Sequence, residues 1–351
     1  MPNSTISSLA VTANADDQAA ASWAALRAVI EPSMTAVERC LQHQLSSDVA
    51  LIRQIGHYLV DSGGKRIRPM VTLLASGASQ LNKSNCTTGD SRDDAMSPES
   101  DECFSADVTG ASLIEFIHTA TLLHDDVVDQ SDWRRGQSTA NRAFGNAASV
   151  LVGDFVYSRS FQMMVELNDM AIMRLLADTT NTIASGEVMQ LVHAHRAHRD
   201  ESIYFDVIHR KTAALFAAAA KLGGLINYAK EDICQALDTY GQHLGLAFQL
   251  ADDCLDFAGD PENTGKSLGD DLAEGTPTLP LIYVLNNGNA EQSELVRTAI
   301  EFADGPLDEQ TLNAVIEIVH TTGALNYVAD KAQHQSKLAI EALSNLPNSQ
   351  Y

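Results

Sequence analysis

The sequence predicts an all-α protein, a single large bundle of ten or more helices. Three observations predict it. Apolar side chains recur at three- and four-residue spacing through most of the chain. No stretch alternates as a half-buried strand would. Hydrophobic residues make up 45% of the 351 positions, enough to build a sizeable core.

Residues 1–20 are small and polar and are expected to form a disordered tail, followed by one all-α domain over 21–351. From 34 to 60, "MTAVERCLQHQLSSDVALIRQIGHYLV" carries helical spacing, and "DSGGKRIRP" breaks it with two glycines and a proline. "MVTLLASGASQL" reads as a short apolar helix. Residues 82–103, rich in Ser, Asp, Asn and Thr, read as a disordered insertion. Helical patterns then follow at roughly 106–130, 137–168, 170–197, 201–228, 231–259, 276–287, 291–303, 308–320 and 324–345. No shift in composition marks a second domain.

The net charge is −23, from 23 basic and 46 acidic residues. That argues against a nucleic-acid partner, which needs a basic stripe, and against more than peripheral contact with an anionic membrane. Cys40, Cys86, Cys103, Cys234 and Cys254 are odd in number and form no C-x-x-C pair. They read as free thiols of a reducing compartment, the cytoplasm. No basic region followed by an apolar run opens the chain, and no stretch of 18 apolar residues occurs, so neither a secretory signal nor a membrane span is expected.

The chemistry concentrates in "LLHDDVVDQSDWRRG", Leu122–Gly136. Positions i and i+4 share a helix face, so Asp125 and Asp129 point the same way with Asp126 beside them. Two carboxylates about 6 Å apart repel by roughly 3 kcal/mol at an effective dielectric of about 20. "FQLADDCLDFAGD" repeats the spacing with Asp252, Asp253 and Asp256. Oxygen-only donors on rigid helices suit a hard divalent cation, Mg²⁺ above all, which shares one or two carboxylates with substrate phosphates. An EF-hand is excluded, because the loop glycine and closing glutamate are missing. Basic residues flank this acid. Arg134 and Arg135 follow the first triplet, and Lys65, Arg66 and Arg68 sit in "GGKRIRP". Arginine forks and lysine charges of this kind hold phosphate oxygens. Lys211 and Thr212 interrupt an apolar helix, Gln249 precedes Asp252 by three residues, and His118 lies seven residues before Asp125 on the same face.

These segments resemble the trans-isoprenyl diphosphate synthase family, nearest its bacterial long-chain branch of the octaprenyl type. The matching stretches are "GGKRIRPM", "LIEFIHTATLLHDDVVDQSDWRRG", "FGNAASVLVGDFVYSRSFQMM", "GEVMQL", "KTAALF", "GLAFQLADDCLDF" and "GKSLGDDLAEGTPTLPL", in family order. The resemblance implies an isoprenoid synthase fold around a central apolar cavity, and a homodimer. It implies Mg²⁺-dependent, successive head-to-tail condensation of isopentenyl diphosphate onto an allylic diphosphate, farnesyl diphosphate to octaprenyl diphosphate, for a quinone side chain. It implies metal ligation by Asp125, Asp129 and Asp252, supported by Asp126, Asp253 and Asp256. Arg134 is expected to hold the allylic diphosphate. Lys65, Arg68, His118 and Arg135 are expected to hold isopentenyl diphosphate. Lys211, Thr212 and Gln249 are expected to line the allylic side, with Lys266 on the diphosphate. A class I terpene cyclase would share D-D-x-x-D but needs no isopentenyl site. A non-catalytic partner subunit would not need both acidic motifs. The small Ala120 and Thr121, above Ile117, leave room for a growing tail on the helix of Asp125, and Phe161, Met163 and Met164 are candidates for a deeper floor.

Overall fold

The computed structural model describes the backbone of residues 5–61, 63–80, 104–134, 136–258, 268–301 and 308–351, and side chains from residue 21 onward except at 60 and 61. The expected insertion at 82–103 lies outside the described residues, as do Arg135 and Lys266. The described chain is all-α apart from one small hairpin. Helices α1 (Thr5–Gln44), α2 (Ala50–Asp61), α3 (Ile67–Gln80) and α4 (Ala106–Val128) come first. The hairpin β1 (Trp133–Arg134) and β2 (Gln137–Ser138) leads to α5 (Ala140–Phe144), α6 (Asn146–Glu166) and α7 (Met170–His193). Then follow α8 (Glu201–Ile208), a π-turn (His209–Ala213), α9 (Ala214–Ile226) and α10 (Glu231–Ala258). The series closes with α11 (Asp270–Ala273), α12 (Leu279–Asn287), α13 (Ala290–Glu301), α14 (Glu309–Thr321) and α15 (Ala324–Ala342).

Several boundaries differ from the sequence reading, each for a local reason. The backbone is already helical from Thr5, where a disordered tail was expected; the alanine-rich run has high helix propensity. The pattern over 34–60 is two helices, broken at "LSSD". The pattern over 137–168 is a strand and two helices. Gly136 (φ 76°) closes the hairpin turn, and Gly145 (φ 90°) separates α5 from α6. The hairpin pairs Trp133 with Ser138 and Arg134 with Gln137, too short for any alternation to register in the sequence. α7 stops at His193, and His195 just beyond takes a left-handed φ of 58°.

α4 runs through the main core. Leu113, Ile114, Ile117 and Ala120 are fully buried on it, against α6, α3, α1 and α9. Ser149 of α6 donates to the Leu123 carbonyl at 2.9 Å, fixing the two helices in register near the acidic end. α10 is drawn tightly onto α9 and the π-turn. A Cβ on Gly245 would lie 2.5 Å from Ala213 Cα, so only glycine permits this approach. The close contact sets Gln249, one turn further along, within hydrogen-bonding distance of Thr212. A second apolar cluster, including Phe257, Leu281, Val296, Ile300, Val315 and Val319, anchors the far end of α10. Among the described residues, no helix is long and apolar enough to cross a membrane.

Candidate active site

The first acidic motif occupies the last turn of α4, where the helix dipole is already unfavourable to anions. Its three carboxylates divide. Asp126 is buried, and its Oδ1 accepts from both Arg134 Nε and Nη2 at 2.8 Å. Asn141 bonds the Asp126 carbonyl at 2.9 Å, so the hairpin and α5 are tied back onto α4. Asp125 instead faces Lys211, with Nζ 3.6 Å from Oδ2. Lys211 also meets Glu187 of α7 at 2.7 Å. Burial raises the pKa of Asp125, and Lys211 and Arg134 only partly offset it. The same balance raises Asp129. Burial alone would lower the Lys211 pKa, but Asp125 and then Glu187 more than reverse this, so the ammonium is firmly protonated.

The second motif divides likewise. Asp253 is fully enclosed: Tyr204 donates to Oδ2 at 2.5 Å and Gln249 to Oδ1 at 2.8 Å. Burial, then Asp271, pushes it up to about 8. Asp256 is also buried, and its Oδ1 accepts from the Asp270 N–H at 3.1 Å, fixing the start of α11. Asp252 is half-buried, one turn before Asp256 on α10. Thus Asp126, Asp253 and Asp256 are buried, whereas Asp125, Asp129 and Asp252 are half-buried.

The two sides share one electrostatic field. Glu274, just past α11, is pushed up to about 7 by burial and then by Asp129, Asp271 and Asp270. Glu187 is likewise pushed up to about 7, by burial and then by Asp125 and Asp129 against Lys211. The sequence reading passed over Glu187, Glu274 and Tyr204. An acidic residue inside the apolar "GEVMQL" was the available signal for the first. Both glutamates have a folded pKa above the ordinary 4.5. Their contribution to stability is therefore complete below that value and is lost as pH rises toward about 7. In chelator, the melting temperature is expected to fall between about pH 5 and about pH 8, and a divalent cation with diphosphate to recover the loss. A flat profile would remove this coupling.

Among the described residues, no group of three His, Cys, Asp or Glu side chains could hold an ion unaided. The candidate donors are carboxylates of two separate helices, α4 and α10. This fits a cation that completes its shell with substrate phosphate, as Mg²⁺ does.

The basic side is less uniform than its sequence. Arg66, at φ 48°, turns inward to Glu38 at 2.9 Å and Glu115 at 2.6 Å, so it braces the loop rather than offering itself to a phosphate. Lys65 is exposed. Arg68 lies over the Phe216 ring, 4.5 Å from its centroid, which steadies its guanidinium. His118 is half-buried, and its carbonyl accepts from the Thr121 hydroxyl at 2.8 Å. A cleft beside α4 is lined by Tyr58, Arg66, Glu115, Thr119 and Arg134, among others. Of the chain-length candidates, Ile117, Ala120, Met163 and Met164 are wholly buried. Phe161 is 39% exposed and stacks edge-on against Tyr157, so it is no part of a deep floor. It shares the outer face of α6 with Val165, one turn on.

The polyprenyl synthetase family model matches residues 49–319. The chain belongs to the polyprenyl synthetase family. It is 45% identical over 315 residues to the octaprenyl diphosphate synthase of Escherichia coli (strain K12), covering 90% of each chain. It is 42% identical over 326 residues to that of Haemophilus influenzae, covering 93% of this chain and 92% of the relative. A polyprenyl synthase from Caulobacter crescentus CB15, solved with calcium and isoprenyl diphosphate, superposes with a TM-score of 0.83 at 37% identity, covering 93% of this chain and 92% of that one. The bundle described above is thus the isoprenoid synthase fold, and this synthetase is a prenyltransferase. The calcium in that relative accords with divalent-metal use.

Proposed function

We propose that the enzyme condenses isopentenyl diphosphate head to tail onto an allylic diphosphate, starting from farnesyl diphosphate and ending at octaprenyl diphosphate, with Mg²⁺. One observation carries the reading. Lys211 meets Asp125 of the first acidic motif, and its neighbour Thr212 bonds Gln249, three residues before Asp252 of the second. In the proposed reaction the allylic C1–O bond breaks and its electron pair leaves with diphosphate. The isopentenyl double bond then attacks C1, and loss of a proton regenerates an allylic diphosphate five carbons longer. Bound Mg²⁺ would neutralise the charge that grows on the leaving diphosphate. Lys211 can turn from Glu187 toward that diphosphate, and Arg134, braced by Asp126, presents its remaining N–H groups to it. The Thr212 and Gln249 oxygens face the carbon that becomes positive. Arg68, His118 and Lys65 hold isopentenyl diphosphate, with Arg135 and Lys266 assigned by resemblance. The metal-binding assignment is Asp125, Asp129 and Asp252.

A homodimer is part of the proposal. Leu151 and Val165 on α6, with Val188 and Leu191 on α7, are each more than 60% exposed, an apolar surface suited to a second copy.

The test is an assay of the purified chain with Mg²⁺, farnesyl diphosphate and labelled isopentenyl diphosphate, with products resolved by chromatography. A ladder ending at eight units supports the proposal. Cyclised products, or no incorporation of label, would overturn it. Ala120→Phe puts about six extra heavy atoms into a fully buried position on the path of the tail. The expected outcome is a product distribution moved to markedly shorter chains with initiation retained; unchanged length would reject this route for the tail.

A further inference from the structure

The chain leaves α4 through an abrupt turn. Gln130 takes a left-handed φ of 53°, which a residue with a side chain keeps only where its surroundings hold it. Asn141 of α5 holds this turn. Its Nδ2 donates to the Asp126 carbonyl at 2.9 Å and to the Ser131 carbonyl at 3.2 Å. The first carbonyl belongs to the last turn of α4, where intrahelical donors run out. The second lies in the exit loop, two residues before β1.

The orientation of this amide is fixed without reference to any titrating group. A backbone carbonyl only accepts, at every pH, so the NH₂ end must face the two carbonyls. Oδ1 accepts no hydrogen bond among the described residues, so the two donated bonds are what the amide contributes. Asn141 is 9% exposed, and water competes little for them. α5 itself is firm, packed on α4 and α6 with Ala140 buried.

The two bonds span the pivot of the hairpin. Arg134 lies three residues beyond Ser131, about 10 Å along an extended chain. A swing of about 10° at the exit would therefore move Arg134 by about 2 Å, and a misplacement of about 1 Å already costs a site dearly. The ion pair of Arg134 with Asp126 cannot set that angle, since it is made at the end of a long, flexible side chain. Asn141 acts on the backbone.

We propose that Asn141 is a positioning residue for diphosphate recognition. It fixes the angle at which the hairpin leaves α4, and so where the remaining N–H groups of Arg134 point. This rests on the prenyl-transfer reading above. Asn141 touches no substrate in it.

The experiment is equilibrium binding of farnesyl diphosphate, with Mg²⁺ and no isopentenyl diphosphate, to the full chain and its variants. For Asn141→Leu, which keeps the volume and removes both donors, Kd is expected to rise about 10-fold. Because the effect passes through Arg134, adding Asn141→Leu to Arg134→Met should raise Kd by less than about twofold more. Arg142→Gln removes a neighbouring contact to the same segment, an exposed pair with Asp132, and should bind within about twofold of the parent. Parental Kd for Asn141→Leu, full multiplication of its loss with that of Arg134→Met, or an equal loss in Arg142→Gln would overturn the proposal. Should Asn141→Leu not fold, Asn141→Ala, which adds no atom to the buried site, is held to the same outcomes. A parent that binds inorganic diphosphate with Mg²⁺ but not farnesyl diphosphate would sink the prenyl-transfer reading instead, and the Asn141 comparison is then decided with inorganic diphosphate.

Discussion

Asp125→Asn is expected to lower kcat by about a thousandfold or more, and to raise the melting temperature of the metal-free protein by about 2 °C. The two effects have one origin. Burial makes ionised Asp125 unfavourable, and Lys211 and Arg134 repay only part of this. Its folded pKa lies above the ordinary 3.8, so near neutral pH the anion works against folding. Asparagine keeps the shape and drops the charge, while Lys211 keeps Glu187 as its partner. The catalytic loss follows because an amide is a poor ligand for a hard cation. Product assays with melting curves in chelator check both halves. A variant that is both inactive and less stable would contradict the stored-repulsion account.

Lys211→Met is expected to reduce kcat by about 100-fold or more and to destabilise the protein in a pH-dependent way. Glu187 and Asp125, side chains 27% and 14% exposed, would face each other without their shared cation. Removing one partner of such a mostly buried pair costs about 2–3 kcal/mol here, less than for a fully enclosed one. Glu187 titrates near 7 even with Lys211 present, so near pH 5.5 it carries a proton and little is lost. Urea unfolding at about pH 5.5 and about pH 8 should therefore show a small loss at the lower pH and the full loss at the higher. Equal losses at both would mean that Lys211 acts through packing instead of charge.

The helices were legible because a core-facing helix repeats its apolar positions, and α4 and α10 do so around their aspartates. The two acidic motifs were legible for the same reason: charge inside an apolar pattern stands out. What the pattern could not carry was orientation beyond the helix. Nothing in "HDDVVD" says that Asp126 turns to Arg134 while Asp125 turns to Lys211; the hairpin decides that, through a turn two residues long. In "GGKRIRP" the three cations look alike, and only the left-handed backbone at Arg66 sends one of them inward to Glu38 and Glu115. Phe161 read as core because it is aromatic within an apolar helix, yet it lies on the outer face. Tyr204, Glu187 and Glu274 were missed because each comes from a separate segment and gains meaning only when the bundle closes.

The wide turn at His209–Ala213 has a consequence for how this chain can change. Such a turn holds one residue more than an α-helix needs over the same rise. Deleting that residue would close the wide turn into ordinary α-helix with the flanking faces kept, whereas deleting one from the regular helix on either side would rotate everything beyond it by about 100°. In that second case either Tyr204 would leave its carboxylate or Phe216 would leave the interior. Single-residue deletions should therefore disturb folding less at this turn than in the helices that flank it.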